Sequence, residues 1–191
     1  MKDKQIEKLI RAERKRQKET LVLIPSENLV SADVLAALGS ELTNKYAEGY
    51  PGARYYGGNQ IIDKIERLAQ SRALALFGLS PEEWDVNVQP YSGSPANLAV
   101  YLALVPLGEK IMGMKLDMGG HLTHGHRVSA TGKMWNAIQY GVDRKTELLN
   151  YDEIGDMAKR EAPKLIIAGY TAYPRTIDFK KFREIADAAG A

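Results

Sequence analysis

Residues 151–170 read Tyr-Asp-Glu-Ile-Gly-Asp-Met-Ala-Lys-Arg-Glu-Ala-Pro-Lys-Leu-Ile-Ile-Ala-Gly-Tyr. Ile154, Met157 and Ala158 recur at helical spacing among charged residues, which predicts an amphipathic helix over 151–161 with those three inward. Leu165, Ile166, Ile167 and Ala168 then form a continuous apolar run within 164–170, the pattern of a strand buried on both faces. A second helical pattern follows over 179–189, carried by Phe179, Phe182, Ile185, Ala186 and Ala189. Helix, doubly buried strand and helix in succession form one link of a parallel α/β fold.

The alternation continues outward. Ile111–Met114 and residues 136–141 read as strands, and 84–90, alternating Trp84, Val86 and Val88, reads as another. Ala96–Val105 is a helix with Pro95 near its first turn. Ile61, Ile62, Ile65, Leu68, Ala69 and Leu76 mark a long helix that stops at Gly78. Val34, Leu35, Leu38 and Leu42 give the apolar face of a helix capped by Ser31 or Asp33. Residues 21–25 are a short extended apolar run ended by Pro25. Residues 2–18 hold eight Lys/Arg and three Asp/Glu around a narrow stripe of Ile6, Leu9 and Ile10. This segment is a solvated helix resting on the body by its stripe, or an arm that packs on a second subunit. The expected architecture is one α/β domain with helices on both faces of a parallel sheet and an N-terminal appendage.

Composition limits the function. The 191 residues carry a formal net charge of +2, so no global basic field invites nucleic acid. There is no Cys, which removes disulfides, thiolate nucleophiles and Cys-ligated zinc. No apolar run approaches the roughly 20 residues of a membrane span, and the first residues lack the apolar centre of a signal peptide. A cytoplasmic, soluble protein is the expectation.

Three loops carry chemistry. Ser92-Gly93-Ser94 precedes a helix whose first N–H groups are unpaired, so it is either an ordinary capping turn or a phosphate cradle. No GxGxxG follows a strand and no GxxxxGK[ST] occurs, which argues against dinucleotide and P-loop readings. His121, His124 and His126 lie within a Gly-rich loop. They invite a metal reading, but no helical face orients them and no metalloprotease pattern is present. The other reading uses one imidazole as a flat surface or acid–base group and the others as loop hydrogen-bonders. Residues 46–58 gather Tyr46, Tyr50, Tyr55 and Tyr56 with four glycines and Pro51 in an irregular loop. Glu48 within it is either solvated or partly buried with the raised pKa of a general acid–base, and Arg54 stands ready to brace it. In an open α/β sheet, residues just past the carboxyl ends of strands line the ligand crevice, which places Ser94 and Thr171 there.

These stretches carry a family resemblance. Ile24-Pro-Ser-Glu-Asn28, the run from Leu42 to Gly58, Val88 to Asn97, Gly119-Gly-His-Leu-Thr-His-Gly125 and Ala168 to Arg175 occur in the order and spacing of serine hydroxymethyltransferases. The chain resembles the N-terminal portion of that family, pyridoxal-phosphate enzymes of the aspartate-aminotransferase fold type (fold type I). The resemblance implies residues 1–45 as arm and dimer-contact segment and 46–191 as the first part of the large cofactor-binding domain. It implies that Ser92, Gly93 and Ser94 hold the cofactor phosphate, that His121 stacks on its ring and that Thr171 reaches its phenolic oxygen. It further implies that Tyr46 serves the neighbouring subunit's cofactor site, that Ser26 and Tyr56 meet the substrate, and that Glu48 moves a proton at the serine hydroxyl. Glu48, Tyr56 and His121 would be the catalytic set. Leu116, Gly120, His121 and Leu122 would contact tetrahydrofolate, and no metal is implied.

A homodimer or higher homo-oligomer with shared active sites is the implied assembly. Asp117-Met118 departs from what the family often has before Gly-Gly-His. The family's Asp for the pyridine nitrogen and its His-Lys pair with the Schiff-base lysine are not found here. The expectation is therefore an incomplete part, inactive by itself. The alternatives are a threonine-aldolase-like lyase, and a half-protein or dimerisation module.

Overall fold

The computed structural model describes all 191 residues. They form two compact units, Leu29–Val100 and the combination of Met1–Asn28 with Tyr101–Ala191.

The second unit contains the sheet. A hairpin, β1 (Gly49–Tyr50) and β2 (Ala53–Arg54), precedes it in the chain, and strands β3 (Lys110–Met114), β4 (Asn136–Tyr140) and β5 (Leu165–Ile166) are parallel in the order β4-β3-β5. Ile111 registers with Ala137 and Leu165, and Met112 with Ile138 and Ile166. The alternation of β3 separates its side chains by face. Met112 and Met114 join Tyr140, Leu149, Ile154, Ala158 and Phe182 in the core. The helices supplying the last three are α6 (Tyr151–Glu161) and α7 (Phe179–Ala189), with the boundaries the periodicity predicts. Asn150 caps α6 by accepting from the Glu153 N–H, and Asp178 caps α7 by accepting from the Lys181 N–H. Burying each large apolar side chain of this set contributes about 1.5–3 kcal/mol. The short helix α5 (Ala130–Met134) leads into β4.

The doubly buried strand over 164–170 is only partly realised. Two residues pair as strand, and backbone bonds from Lys164 to Lys110 and from Ile167 to Met112 extend the alignment. Leu165 to Ala168 are half-buried, because no strand pairs with β5 on the side away from β3.

Helix α1 (Lys4–Glu19) begins at Asp3, whose carboxylate accepts from the Gln5 and Ile6 N–H groups. Ion pairs of Glu7 with Lys4 and Arg11, and of Glu13 with Arg16, run along its surface. Its apolar stripe does not rest on the body, since Ile6, Leu9 and Ile10 are all exposed.

In the unit Leu29–Val100, helix α2 (Ala32–Leu38) is capped by Ser31, which accepts from the Val34 N–H. The loop expected to be irregular contains a small antiparallel hairpin, β1 (Gly49–Tyr50) and β2 (Ala53–Arg54). Helix α3 (Gln60–Phe77) ends where the sequence says, with Gly78 left-handed and its N–H turned back to Leu74 and Ala75. Residues 84–90 do not form the expected strand. Val86 and Val88 are half-buried, but no strand pairs with them. Side-chain amides hold the segment instead: Gln70 donates to the Val86 carbonyl, and Gln89 donates to the Gly49 carbonyl and to Glu66. Helix α4 (Gly93–Leu104) follows and passes from this unit into the other.

Candidate active site

The histidine loop is built on the far face of β3. Gly113 occupies the strand position opposite the Met112–Met114 face, and a Cβ there would meet the His124 Cβ at 2.9 Å. Only a glycine lets the turn Leu122–His124 lie this close to the sheet. The turn is capped reciprocally by two imidazoles. His121 Nδ1 accepts from the Thr123 N–H at 3.2 Å, and His124 Nδ1 accepts from the His121 N–H at 3.2 Å. A backbone N–H only donates, so both rings carry their proton on Nε2 when neutral.

His124 is 5% exposed, and burial followed by the neighbouring His121 charge pushes its pKa down to about 4. It serves as a neutral capping group inside the turn. No three His, Cys, Asp or Glu side chains converge to hold a metal. His126 accepts weakly from the Val128 N–H and is part of the following turn.

Gly119 and Gly120 connect this turn to the end of β5. The Gly119 carbonyl accepts from the N–H groups of Thr171 and Ala172 at 2.9 and 3.1 Å. A Cβ on Gly120 would lie 2.2 Å from the Met114 carbonyl oxygen. The glycine pair thus lays the loop directly over the carboxyl ends of β3 and β5, the crevice position that the open-sheet rule assigns. His121 and Thr171 are half-buried on either side of this clamp, and the Thr171 hydroxyl makes no hydrogen bond within the chain. Leu116 and Leu122, on the turns flanking the glycines, are exposed. Ser26 sits on the exposed turn after Pro25, with no hydrogen bond to this loop.

The remaining candidates lie in the unit Leu29–Val100. Arg54 does not brace Glu48. Its guanidinium, on a side chain 5% exposed, pairs with Asp63 at 2.9 Å and Glu66 at 2.5 Å. It also donates to the carbonyls of Ala47 and Gly49, both at 2.7 Å. These two carbonyls flank Glu48, so Arg54 shapes the backbone around it while leaving the carboxylate free and exposed. The Arg54 guanidinium, then the Gly52 N–H, hold Asp63 below the usual carboxylate range.

Tyr46 and Tyr56 meet edge to face, 5.3 Å between ring centres, and both are exposed. Asn59 ties them together from beneath: its amide donates to the Tyr56 carbonyl at 2.9 Å and the Tyr46 carbonyl at 3.5 Å. Sequence reading missed Asn59, Asp63 and Glu66. The last two occupy adjacent turns of α3, a spacing that suits a bidentate guanidinium.

The Ser92–Ser94 segment offers a donor set. The Ala96 N–H turns back to the Ser92 carbonyl, so the first N–H groups of α4 point outward without helical partners. Ser92, Gly93 and Ser94 are exposed, no hydrogen bond occupies either hydroxyl, and the space over Gly93 is open. Free hydroxyls and N–H groups at a helix start fit a phosphate.

The sequence matches the family described as serine hydroxymethyltransferase over residues 1–191. The chain belongs to this family. It is 58% identical over 189 residues to a serine hydroxymethyltransferase of Nostoc punctiforme, covering 99% of this chain and 43% of the relative. It is 59% identical over 184 residues to one of Acidothermus cellulolyticus, covering 96% of this chain and 42% of the relative. The chain therefore spans less than half the length of these relatives. No helix is long and apolar enough to cross a membrane.

Proposed function

We propose that this chain supplies part of the active site of a pyridoxal-phosphate-dependent serine hydroxymethyltransferase of fold type I. The enzyme interconverts serine and glycine with tetrahydrofolate as one-carbon acceptor, in the cytoplasm, as a homodimer or larger homo-oligomer with shared sites. What carries the reading is the family match along the whole chain, joined to a free donor set at the start of α4.

Ser92, Gly93 and Ser94 hold the cofactor phosphate through hydroxyls and N–H groups. His121 presents its ring face to the pyridine, and the Thr171 hydroxyl meets the phenolic oxygen. When bound, the cofactor acts as electron sink for the bond-breaking step. Glu48 accepts the proton of the serine hydroxyl on its carboxylate and returns it in the reverse direction. Ser26 and Tyr56 orient the substrate. Leu116, Gly120, His121 and Leu122 line the folate side. Exposure of Tyr46 and Tyr56 on a backbone stiffened by Arg54 supports their use by a neighbouring subunit.

Serine cleavage by the holoenzyme, assayed with and without tetrahydrofolate, tests the reading. Folate-dependent glycine formation is the expected result. Cleavage equally fast without folate would identify a threonine-aldolase-like lyase instead. Glu48→Gln should abolish serine cleavage and leave cofactor affinity unchanged, and His121→Ala should weaken cofactor retention.

A further inference from the structure

We propose that Gln89 is a positioning residue, a side-chain joint that holds the phosphate cradle Ser92–Ser94 in register with the loop that bears Glu48. The joint lies wholly within the unit Leu29–Val100. The Gln89 amide donates to the Gly49 carbonyl at 2.9 Å and to the Glu66 carboxylate at 2.8 Å. Arg54 donates to the same two acceptors, at 2.7 and 2.5 Å. Two donors and two acceptors thus close a ring. A carbonyl and an ionised carboxylate only accept, so the amide nitrogen of Gln89 must face them, and both of its N–H groups are engaged.

Each end of the joint leads to a candidate group. Gly49 directly follows Glu48, so its carbonyl fixes the backbone that carries the carboxylate. At the other end only Pro90 and Tyr91 separate Gln89 from Ser92. Proline locks its own φ, which keeps this link short and stiff. On the preceding side Asn87 accepts from the Gln89 N–H at 2.9 Å and sets the backbone there. No strand pairs with residues 84–90, so the placement of this segment depends on side-chain bonds of this kind. Among them, the Gln89 amide is the one that reaches the Glu48 loop. Catalytic groups on two loops need such a brace to keep a common geometry.

The inference rests on the readings that Ser92–Ser94 hold the cofactor phosphate and that Glu48 moves the proton, and its tests separate it from both. Gln89 is exposed, so replacing it should preserve the fold. In the holoenzyme, Gln89→Leu should raise the cofactor dissociation constant about fivefold. It should also lower kcat for serine cleavage about tenfold, whereas Glu48→Gln moves the cleavage rate alone. Gln70→Leu is the control, because Gln70 holds the same segment through the Val86 carbonyl but donates to neither loop. It should leave both constants unchanged. Equal effects from Gln70→Leu and Gln89→Leu would show a merely structural role and overturn the proposal, as would unchanged constants in Gln89→Leu. Gln89→Glu sets two carboxylates against each other and should be worse than Gln89→Leu. Adding Glu66→Gln swaps amide and carboxylate across the same contact and should recover part of the lost affinity and rate. No recovery would mean that this contact is not the source. Amide hydrogen exchange reads the joint without any assay of catalysis. Exchange across residues 46–58 should quicken about fivefold in Gln89→Leu and stay unchanged in Gln70→Leu. Unchanged exchange there in Gln89→Leu would overturn the joint even if the constants move. If Glu48→Gln retains serine cleavage, the Glu48 reading fails, while the exchange rates and the swap still judge the joint.

Discussion

Helices α3 and α7 both carry apolar stripes, and they meet different fates in this chain. On α7, Phe182 and Ala186 are buried, and Phe182 packs against Tyr140 and Tyr151 with ring centres 5.9 and 5.6 Å apart. On α3, no residue is buried, with Leu76 81% and Phe77 75% exposed. The contrast extends to the surrounding chain. Residues 101–191 contain every buried hydrophobic residue, whereas in Leu29–Val100 the one buried residue is the polar Asn59. A stripe becomes a core only where another element supplies the opposing surface. In residues 101–191 the sheet does so, whereas within 29–100 no element buries the apolar face of α3.

The largest effect expected from this contrast is at Phe182. Phe182→Ala should lower the unfolding free energy of the 191-residue chain by about 3–5 kcal/mol, since it empties a packed aromatic site. Phe77→Ala, the same change on an exposed position, should stay within about 0.5 kcal/mol. Urea titrations of both variants at low protein concentration make the comparison. Equal losses would show that α3 packs as tightly as α7, and the contrast would break.

The second test uses pH. His124 is neutral in the folded chain down to about pH 4, because burial disfavours its charged form. In the unfolded chain it titrates near 6.5. Between those values the unfolded state binds the extra proton, so stability falls as pH drops from about 6.5 to about 4. The slope contributed by this one group reaches about 1.4 kcal/mol per pH unit. His124→Asn keeps a side-chain acceptor at the turn and removes the titration. The variant should show a flatter stability profile over that window, and a retained slope would mean the buried histidine is not its source.

A smaller loss is expected at Tyr140. Its hydroxyl, 1% exposed as a residue, donates to the Ile167 carbonyl at 2.7 Å and meets the Tyr170 hydroxyl at 3.0 Å. Burial pushes the Tyr140 phenol up, and burial likewise pushes Tyr170 up to about 12, so both stay protonated and able to donate. Tyr140→Phe orphans the Ile167 carbonyl beside β5 and should cost about 1–3 kcal/mol. An unchanged unfolding midpoint would mean that water or Tyr170 replaces the lost donor.

This same contrast explains what could be read in advance. The boundaries of α6 and α7 and the cap at Gly78 were legible because caps and apolar spacing are local properties. The 84–90 segment misled because its alternation records a face to be covered, while strand formation needs a neighbouring backbone. The open-sheet rule placed Thr171 and Ser94 past strand ends: Thr171 lies beyond β5 on the Gly119 carbonyl, but no strand precedes Ser94, because 84–90 does not pair. Arg54 misled in a different way: Glu48 is nearer in sequence, but Asp63 and Glu66 stand on one helix face where both guanidinium edges reach them. Thr123 was hidden between two histidines that drew attention as possible ligands. Its N–H and its Oγ1 both meet His121 Nδ1, a contact that no spacing rule foretells.

The smallest effect tests whether the two regions unfold together. Asp178 caps α7 and Ser31 caps α2 by the same chemistry, an oxygen accepting from the backbone N–H three residues on. Replacing either by Ala removes one cap, worth about 0.5–2 kcal/mol to its own helix. That local energy appears in the global unfolding transition only if the helix melts with the core. Helix α7 is tied to the core by Phe182 and Ala186, so Asp178→Ala should shift the cooperative midpoint by the full cap energy. Helix α2 buries no residue, so Ser31→Ala should reduce helical circular dichroism before the transition and leave the midpoint in place. Equal midpoint shifts would mean that α2 shares the cooperative unit despite its exposure. In that case, burial within the chain would not be what divides the regions, and backbone connectivity through α4 would have to transmit the coupling.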